Sequence, residues 1–561
     1  MVGSGFAQKG RYAWTNRLLI WSLPLSFLTV FFFVPFARIL VYSLRWEAFS
    51  ADNLQLAAQT LLFTVYQAVL STLLTLAVGI PAAYLMARYE FRGKALLRAL
   101  IAVPFMLPTV VVAAGFSALL GTRGLINLAA MRILGSTTPP IAFIGTLGAI
   151  LLAHVFYNTT IVVRLVGNAL ARFDPRLEQA ARSLGANRMH LWSSVYLPLL
   201  RPSLLAASVL VFLFDFTSFG VILLLGGPRF ATLEVQIYVQ SLYYLNLPVA
   251  ALLATIQLAC TLVFSIFYTR LLSGNQAAIA PRAIPRHAST LRGRLFVGGM
   301  VLLIAVLFIL PMAALPIRSV SRLDADRGQR SGFQVGITAD YYRELFINRR
   351  SSITYVPPFE AVLNSLGYAG ATVILSLVMA FPAAWALSRP GRLERILDPI
   401  LILPLGASAV TLGLGFIVTF GRLLVYPWMV PLAHTLVALP FVIRTLQPAL
   451  ATIPVRLRQA AASLGASPFR VWQTVDWPIL RRATLSAATF AFTISLGEFG
   501  ATALVSRPDY PTIPIAIYRF LSQPGGLNYG QAMAMATVLM AVATAGILLI
   551  ERLRLPGVGE F

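Results

Sequence analysis

Apolar stretches long enough to cross a bilayer recur along nearly the whole chain, and this constrains the fold more than any other feature. An α-helix needs roughly 20 predominantly apolar residues to span a hydrocarbon core of about 30 Å. Inside that core each backbone N–H and C=O must be paired within its own segment, so the spans are helices. The first run, Leu18 to about Tyr42, follows Lys9, Arg11 and Arg17. It is too long for the apolar region of a signal peptide and lacks a small-residue cleavage site, so it reads as a retained span. Others fall near 60–87, 96–120, 141–166, 203–225 and 248–269, then near 295–317, 360–388, 396–420, 427–448, 483–505 and 528–550. The expected fold is an all-α polytopic membrane protein with about 12 transmembrane helices.

Composition agrees, at 58% hydrophobic and 11% charged residues. A net charge of +25 does not make this a nucleic-acid protein, because the basic residues are sparse and interrupted by apolar runs. Cys260, the only cysteine, excludes both a disulfide framework and a cysteine metal cluster. His154 and His434 have no second ligand at helical spacing, so they are expected as core histidines and no metal site is expected. Of the 44 lysines and arginines, 29 fall on the side of the even-numbered loops and termini and 15 on the other. Basic loops resist translocation, so both termini are expected in the cytoplasm.

The chain is written twice. "QAARSLGA" at 179–186 returns as "QAAASLGA" at 459–466, and the offset of 280 also pairs His154 with His434, Arg164 with Arg444, Trp192 with Trp472, Gly220 with Gly500 and Tyr238 with Tyr518. Upstream the offset becomes 300, matching Pro104 to Pro404 and Gly115-Phe116 to Gly415-Phe416. A period of this length repeats a whole bundle rather than a solenoid unit. An even number of spans separates equivalent points, so the two homologous six-helix halves enter the membrane in the same sense, as parallel repeats. The expected halves are 1–270 and 295–561, joined by a cytoplasmic linker at 271–294 rich in proline, glycine and arginine.

The repeated octet lies in cytoplasmic loops at about 167–201 and 447–482. Alanines favour helix and Gly185 or Gly465 suits a helix stop, so a short helix, a glycine turn and a second amphipathic helix are expected. In the second helix Leu191, Trp192, Val195 and Tyr196 recur at helical spacing, as do Val471, Trp472 and Val475. Two such loops on pseudo-symmetric halves suit a partner that is itself a symmetric dimer.

The pattern resembles the EAA motif of permeases in ATP-binding-cassette (ABC) importers. Its positions fall on Gln179, Ala180, Ala181, Gly185 and Pro198, and again on Gln459, Ala460, Ala461, Gly465 and Pro478, with glutamine where the motif has glutamate. The resemblance implies that each loop carries a coupling helix docking on one subunit of a homodimeric ABC ATPase. Two copies in one chain resemble the fused permeases of thiamine and ferric-iron importers. "LAHVFYN" (152–158) and "GGPRFATLEVQIY" (226–238) look like the thiamine group. The resemblance further implies an extracellular or periplasmic substrate-binding protein and a place in the bacterial plasma (inner) membrane. No phosphate-cradling G-x-x-x-x-G-K-[ST] stretch occurs, so this chain is expected to be a transport subunit and not an enzyme. It is expected to bind no cofactor itself, with ATP and magnesium held by the ATPase. A secondary transporter also uses parallel six-helix halves, but would not need twin cytoplasmic loops.

Charges inside spans are costly and mark cavities or partners. Asp215 and Glu498 are the candidates for the substrate pathway, with structural pairing as the alternative, while Arg164 and Arg444 are expected to snorkel to the interface. Gly115 and Gly415 are expected to allow close helix crossing. Tyr238 and Tyr518 are expected on the outer side, as interfacial anchors or gate residues.

Overall fold

The computed structural model describes residues 20–273, 287–322, 336–347, 357–388 and 391–553. Most of the expected linker and much of the loop at 318–359 lie outside them. Apart from a ladder pairing Ser321–Arg322 with Gly336–Ile337, the described residues are helical or irregular.

The first half runs α1 (Ile20–Ser43), α2 (Ala51–Arg88), α3 (Lys94–Met106), α4 (Thr109–Leu120), α5 (Leu147–Ala171), α6 (Pro175–Ser183), α7 (Leu197–Phe216), α8 (Gly220–Leu225), α9 (Leu233–Leu242) and α10 (Leu247–Ser273). The second repeats it as α11 (Leu291–Ser319), α12 (Pro358–Leu387), α13 (Arg392–Gly406), α14 (Ala409–Phe420), α15 (Met429–Ala451), α16 (Val455–Ser463), α17 (Trp477–Gly497), α18 (Gly500–Val505), α19 (Ile513–Leu521) and α20 (Gly526–Leu553). Among the described residues ten helices are long and apolar enough to cross a membrane, and eleven if a pair bent by 90° within 392–425 is one crossing. The remaining expected span is α17. Its Arg481, Arg482, Thr484, Thr489 and Thr493 make it more polar than its counterpart α7.

Two spans expected to be continuous in each half are broken. The stretch at 96–120 breaks at Leu107-Pro108, where proline holds the preceding residue extended. Its counterpart breaks at Ala407-Ser408, where the Ser408 hydroxyl accepts the Thr411 N–H at 3.0 Å and caps α14. The stretches at 203–225 and 483–505 break after Phe216 and Gly497 and restart at Gly220 and Gly500. Discontinuous helices put irregular backbone inside the membrane, which is tolerated only where protein or a cavity surrounds it.

The halves exchange their first helices. α1 packs on α10 of its own half and on α14 of the other, and α11 packs on α20 and on α4. A Cβ built on Gly115 would lie 2.8 Å from the Pro311 carbonyl oxygen of α11, and one on Gly415 would lie 2.9 Å from Pro35 Cβ of α1. Gly115 and Gly415 thus allow the expected close crossings, and these crossings join the halves.

Candidate functional site

The two copies of the octet form the same structure. α6 ends in a Schellman turn: the Ala186 N–H donates to the Ala181 carbonyl at 3.0 Å and the Gly185 N–H to the Arg182 carbonyl at 3.0 Å. In the second copy Ala466 donates to Ala461 at 3.1 Å and Gly465 to Ala462 at 3.0 Å. The turn needs a left-handed residue, and the two glycines have φ of +82° and +80°. Gln179, Ala180, Gly185 and Pro198 are exposed, as are Gln459, Ala460, Gly465 and Pro478, while Ala181 and Ala461 are half-buried. At each tip a leucine, Leu184 or Leu464, is 88% exposed. Two large apolar side chains held out at equivalent points have the form of a docking surface.

The expected second amphipathic helix is not a separate element. Residues Arg188–Leu191 and Trp192–Tyr196 run directly into α7, and Pro468–Val471 and Trp472–Asp476 run directly into α17. The join widens to a π turn, in which the Leu197 N–H bonds the Trp192 carbonyl and the Trp477 N–H bonds the Trp472 carbonyl. Pro198 and Pro478 follow at once and have no N–H for a regular helical bond. Part of the apolar face expected to await a partner is already covered. Leu191 and Tyr196 are buried against the first half's own helices.

Different charges hold the two loops to the bundle. In the first, the Tyr196 hydroxyl donates to Glu178 at 2.7 Å, and Arg88 at the end of α2 donates to the Tyr196 oxygen at 2.9 Å and lies 3.7 Å from Glu178. In the second, Arg458 donates to Asp476 at 2.7 Å and lies over the Trp385 ring at 4.7 Å. Glu178 and Arg458 are equivalent positions, as are Tyr196 and Asp476, so the repeat keeps the clamp and reverses its polarity. Reading the residues at an offset of 280 exposes this exchange in the sequence itself.

Asp215 and Glu498 are buried, each with a histidine of its own half. Asp215 Oδ1 accepts from Asn158 at 2.7 Å and lies 3.3 Å from His154 Nδ1, whose ring also meets Ser71 and Ser218, each at 2.9 Å. Glu498 accepts the N–H groups of Ala501 and Thr502 at 3.0 and 2.9 Å, at the N-terminal end of α18, and lies 3.5 Å from His434 Nε2. The counterparts of Asp215 and Glu498 at offset 280 are Ser495 and Ser218, so the carboxylate has changed sides of the histidine between the halves. Arg444 does not simply snorkel. It pairs with Asp398 of α13 at 3.1 Å.

The halves meet through aromatic rings just beyond the broken helices. Phe219 stacks on Phe499 with centroids 5.3 Å apart, Tyr238 lies 5.4 Å from Phe219, and Tyr518 lies 5.6 Å from Phe499. Tyr238 and Tyr518, expected on the outer side as interfacial anchors or gate residues, lie here against the paired phenylalanines. The 20 residues of α7, about 30 Å of helix, separate this cluster from the first loop.

Residues 79–274 match the model of the family described as binding-protein-dependent transport system inner membrane component. The chain is 31% identical over 499 residues to the thiamine transport system permease protein ThiP of Brucella abortus (strain 2308), covering 87% of this chain and 86% of that one. It is 27% identical over 510 residues to the protein of that name from Escherichia coli (strain K12), covering 88% of each. It is 26% identical over 510 residues to the probable ABC transporter permease protein y4fN of Sinorhizobium fredii, covering 88% of this chain and 87% of that one. Nearly all-helical, polytopic and carrying the loop motif twice, the chain belongs to the family of binding-protein-dependent transport system inner membrane components, as a fused permease of an ABC importer.

Proposed function

We propose that this permease carries thiamine inward, driven by a separate homodimeric ABC ATPase and supplied by an extracellular or periplasmic binding protein. The observation that carries the reading is the pair of equivalent glycine-turned loops, each holding out a leucine that is 88% exposed. Two like knobs suit two like clefts, one per ATPase subunit. Both sit on the side that carries 29 of the 44 basic residues, which makes it the cytoplasmic side and puts both termini there. Closure of the ATPase on ATP draws the loops together and rocks the halves, opening the Phe219–Phe499 boundary toward the binding protein. The broken helices around Asp215 and Glu498 lie along the route, and the two carboxylates shape it.

Thiamine is favoured over ferric iron by the relatives named as thiamine permeases and by the stretches at 152–158 and 226–238. The test is uptake into proteoliposomes holding the permease, the ATPase and the binding protein. Thiamine accumulation is expected with ATP on the ATPase side and is expected to survive collapse of ion gradients. Uptake that needs a gradient and ignores ATP would establish the secondary-transporter alternative. With the double variant Asp215→Asn and Glu498→Gln, undiminished uptake would remove both carboxylates from the route.

A further inference from the structure

Glu234 takes no part in the loops or in the histidine pairs, yet it is fully buried, at 0% exposure. Gln257 of α10 donates to its Oε1. Its Oε2 closes no hydrogen bond. The Ser408 hydroxyl of the second half reaches toward the same carboxyl across the boundary, but it donates to Thr411 Oγ1 at 3.0 Å instead. A buried carboxylate with an open oxygen calls for a positive partner that comes and goes.

Depth and symmetry point the same way. Gln257 lies ten residues into α10, about 15 Å from its outer end, so Glu234 sits near the middle of the bilayer. Solute sites of transporters built from repeats lie at that depth, on the boundary between the halves, where helices are discontinuous. The residue equivalent to Glu234 in the second half is Pro514, so the repeated fold does not itself require an acid here. Glu234 and Tyr238 are one helical turn apart on α9, which packs against α14 of the other half. Glu234 therefore lies one turn from Tyr238, whose ring belongs to the cluster that closes the boundary.

We infer that Glu234, together with the ring faces of Phe219, Tyr238, Phe499 and Tyr518, forms a transit site for an organic cation that is uncovered when the halves part. An aromatic face attracts a poorly hydrated cation, and the carboxylate supplies the counter-charge. A bare metal ion fits less well, because it needs several oxygen ligands, and among the described residues no group of three or more acids, histidines or cysteines is gathered to hold one. The inference rests on the importer reading above and names the chemistry of the solute within it.

The test measures ATP-dependent uptake of thiamine and of choline by the complete reconstituted complex, with wild type, Glu234→Gln and Glu234→Asp. Glu234→Gln is expected to lower kcat/KM for the transported cation about tenfold or more, and Glu234→Asp to recover most of it. Wild-type rates with Glu234→Gln, or an equal loss with Glu234→Asp, would overturn the site while leaving the thiamine reading intact. Choline uptake without thiamine uptake, lost in Glu234→Gln, would overturn the thiamine reading and support the site. Uptake of neither cation by wild type would overturn both. If Glu234→Gln does not assemble with the ATPase, Tyr238→Leu against Tyr238→Phe makes the same test: loss with leucine and retention with phenylalanine supports the site, and equal rates overturn it.

Discussion

Gly185 and Gly465 carry a conformation that other residues resist. A Cβ at either would meet nothing within 4 Å, so substitution strains only the backbone. Valine there costs about 1–2 kcal/mol per site for the left-handed turn. We expect Gly185→Val with Gly465→Val to lower the solute moved per ATP hydrolysed about tenfold, measured as uptake and phosphate release in the same proteoliposomes. The polarity-reversed clamps make a second prediction. Arg458→Met leaves Asp476, 3% exposed, without its partner, and is expected to cost about 3 kcal/mol, seen as a lower melting temperature. Adding Asp476→Leu should restore most of that stability, because the double replacement leaves no buried charge. No recovery would show that the clamp acts through packing alone.

Among the elements, the spans themselves were legible because apolarity is a property of a segment. The runs expected near 60–87 and 248–269 lie within α2 and α10. The break at Leu107-Pro108 was not legible, since 96–120 stays apolar straight through it, whereas the break in 203–225 falls at Asp215, Thr217 and Ser218, which mark it in the sequence although a continuous span is expected there. The first helix of the loop and the glycine that stops it were legible, but not the continuation of the second helix into the span through a π turn. The partners of Asp215 and Glu498 were not, because His154 and His434 lie on other spans and no periodicity joins them. The exchange of first helices was half legible: Gly115 and Gly415 marked close crossings without showing with what. Gly415→Leu is expected to force α1 away and destabilise the protein by about 1–3 kcal/mol. Gly367→Leu, where a Cβ meets nothing within 4 Å, should leave the melting temperature nearly unchanged. Equal losses would contradict the packing of α1 on α14.

At the scale of the whole molecule, two bundles share one architecture but not one chemistry. They share the loop, the broken helices and the buried histidine; they differ in the sign of the clamp, the side of the carboxylate and the presence of Glu234. The shared loops suit a symmetric partner; of the differing parts, the clamps sit at those loops, while Asp215, Glu498 and Glu234 are buried among the discontinuous helices. The central claim is that both loop tips are gripped from the cytoplasm, and site-specific labelling reaches it most directly. Cys260→Ser removes the one native cysteine, and Leu184→Cys or Leu464→Cys then places a thiol on either tip. A membrane-impermeant maleimide should label both positions from the cytoplasmic face only, and the bound ATPase should protect both. Labelling from the outer face, or labelling that the ATPase does not slow at either tip, would contradict the account.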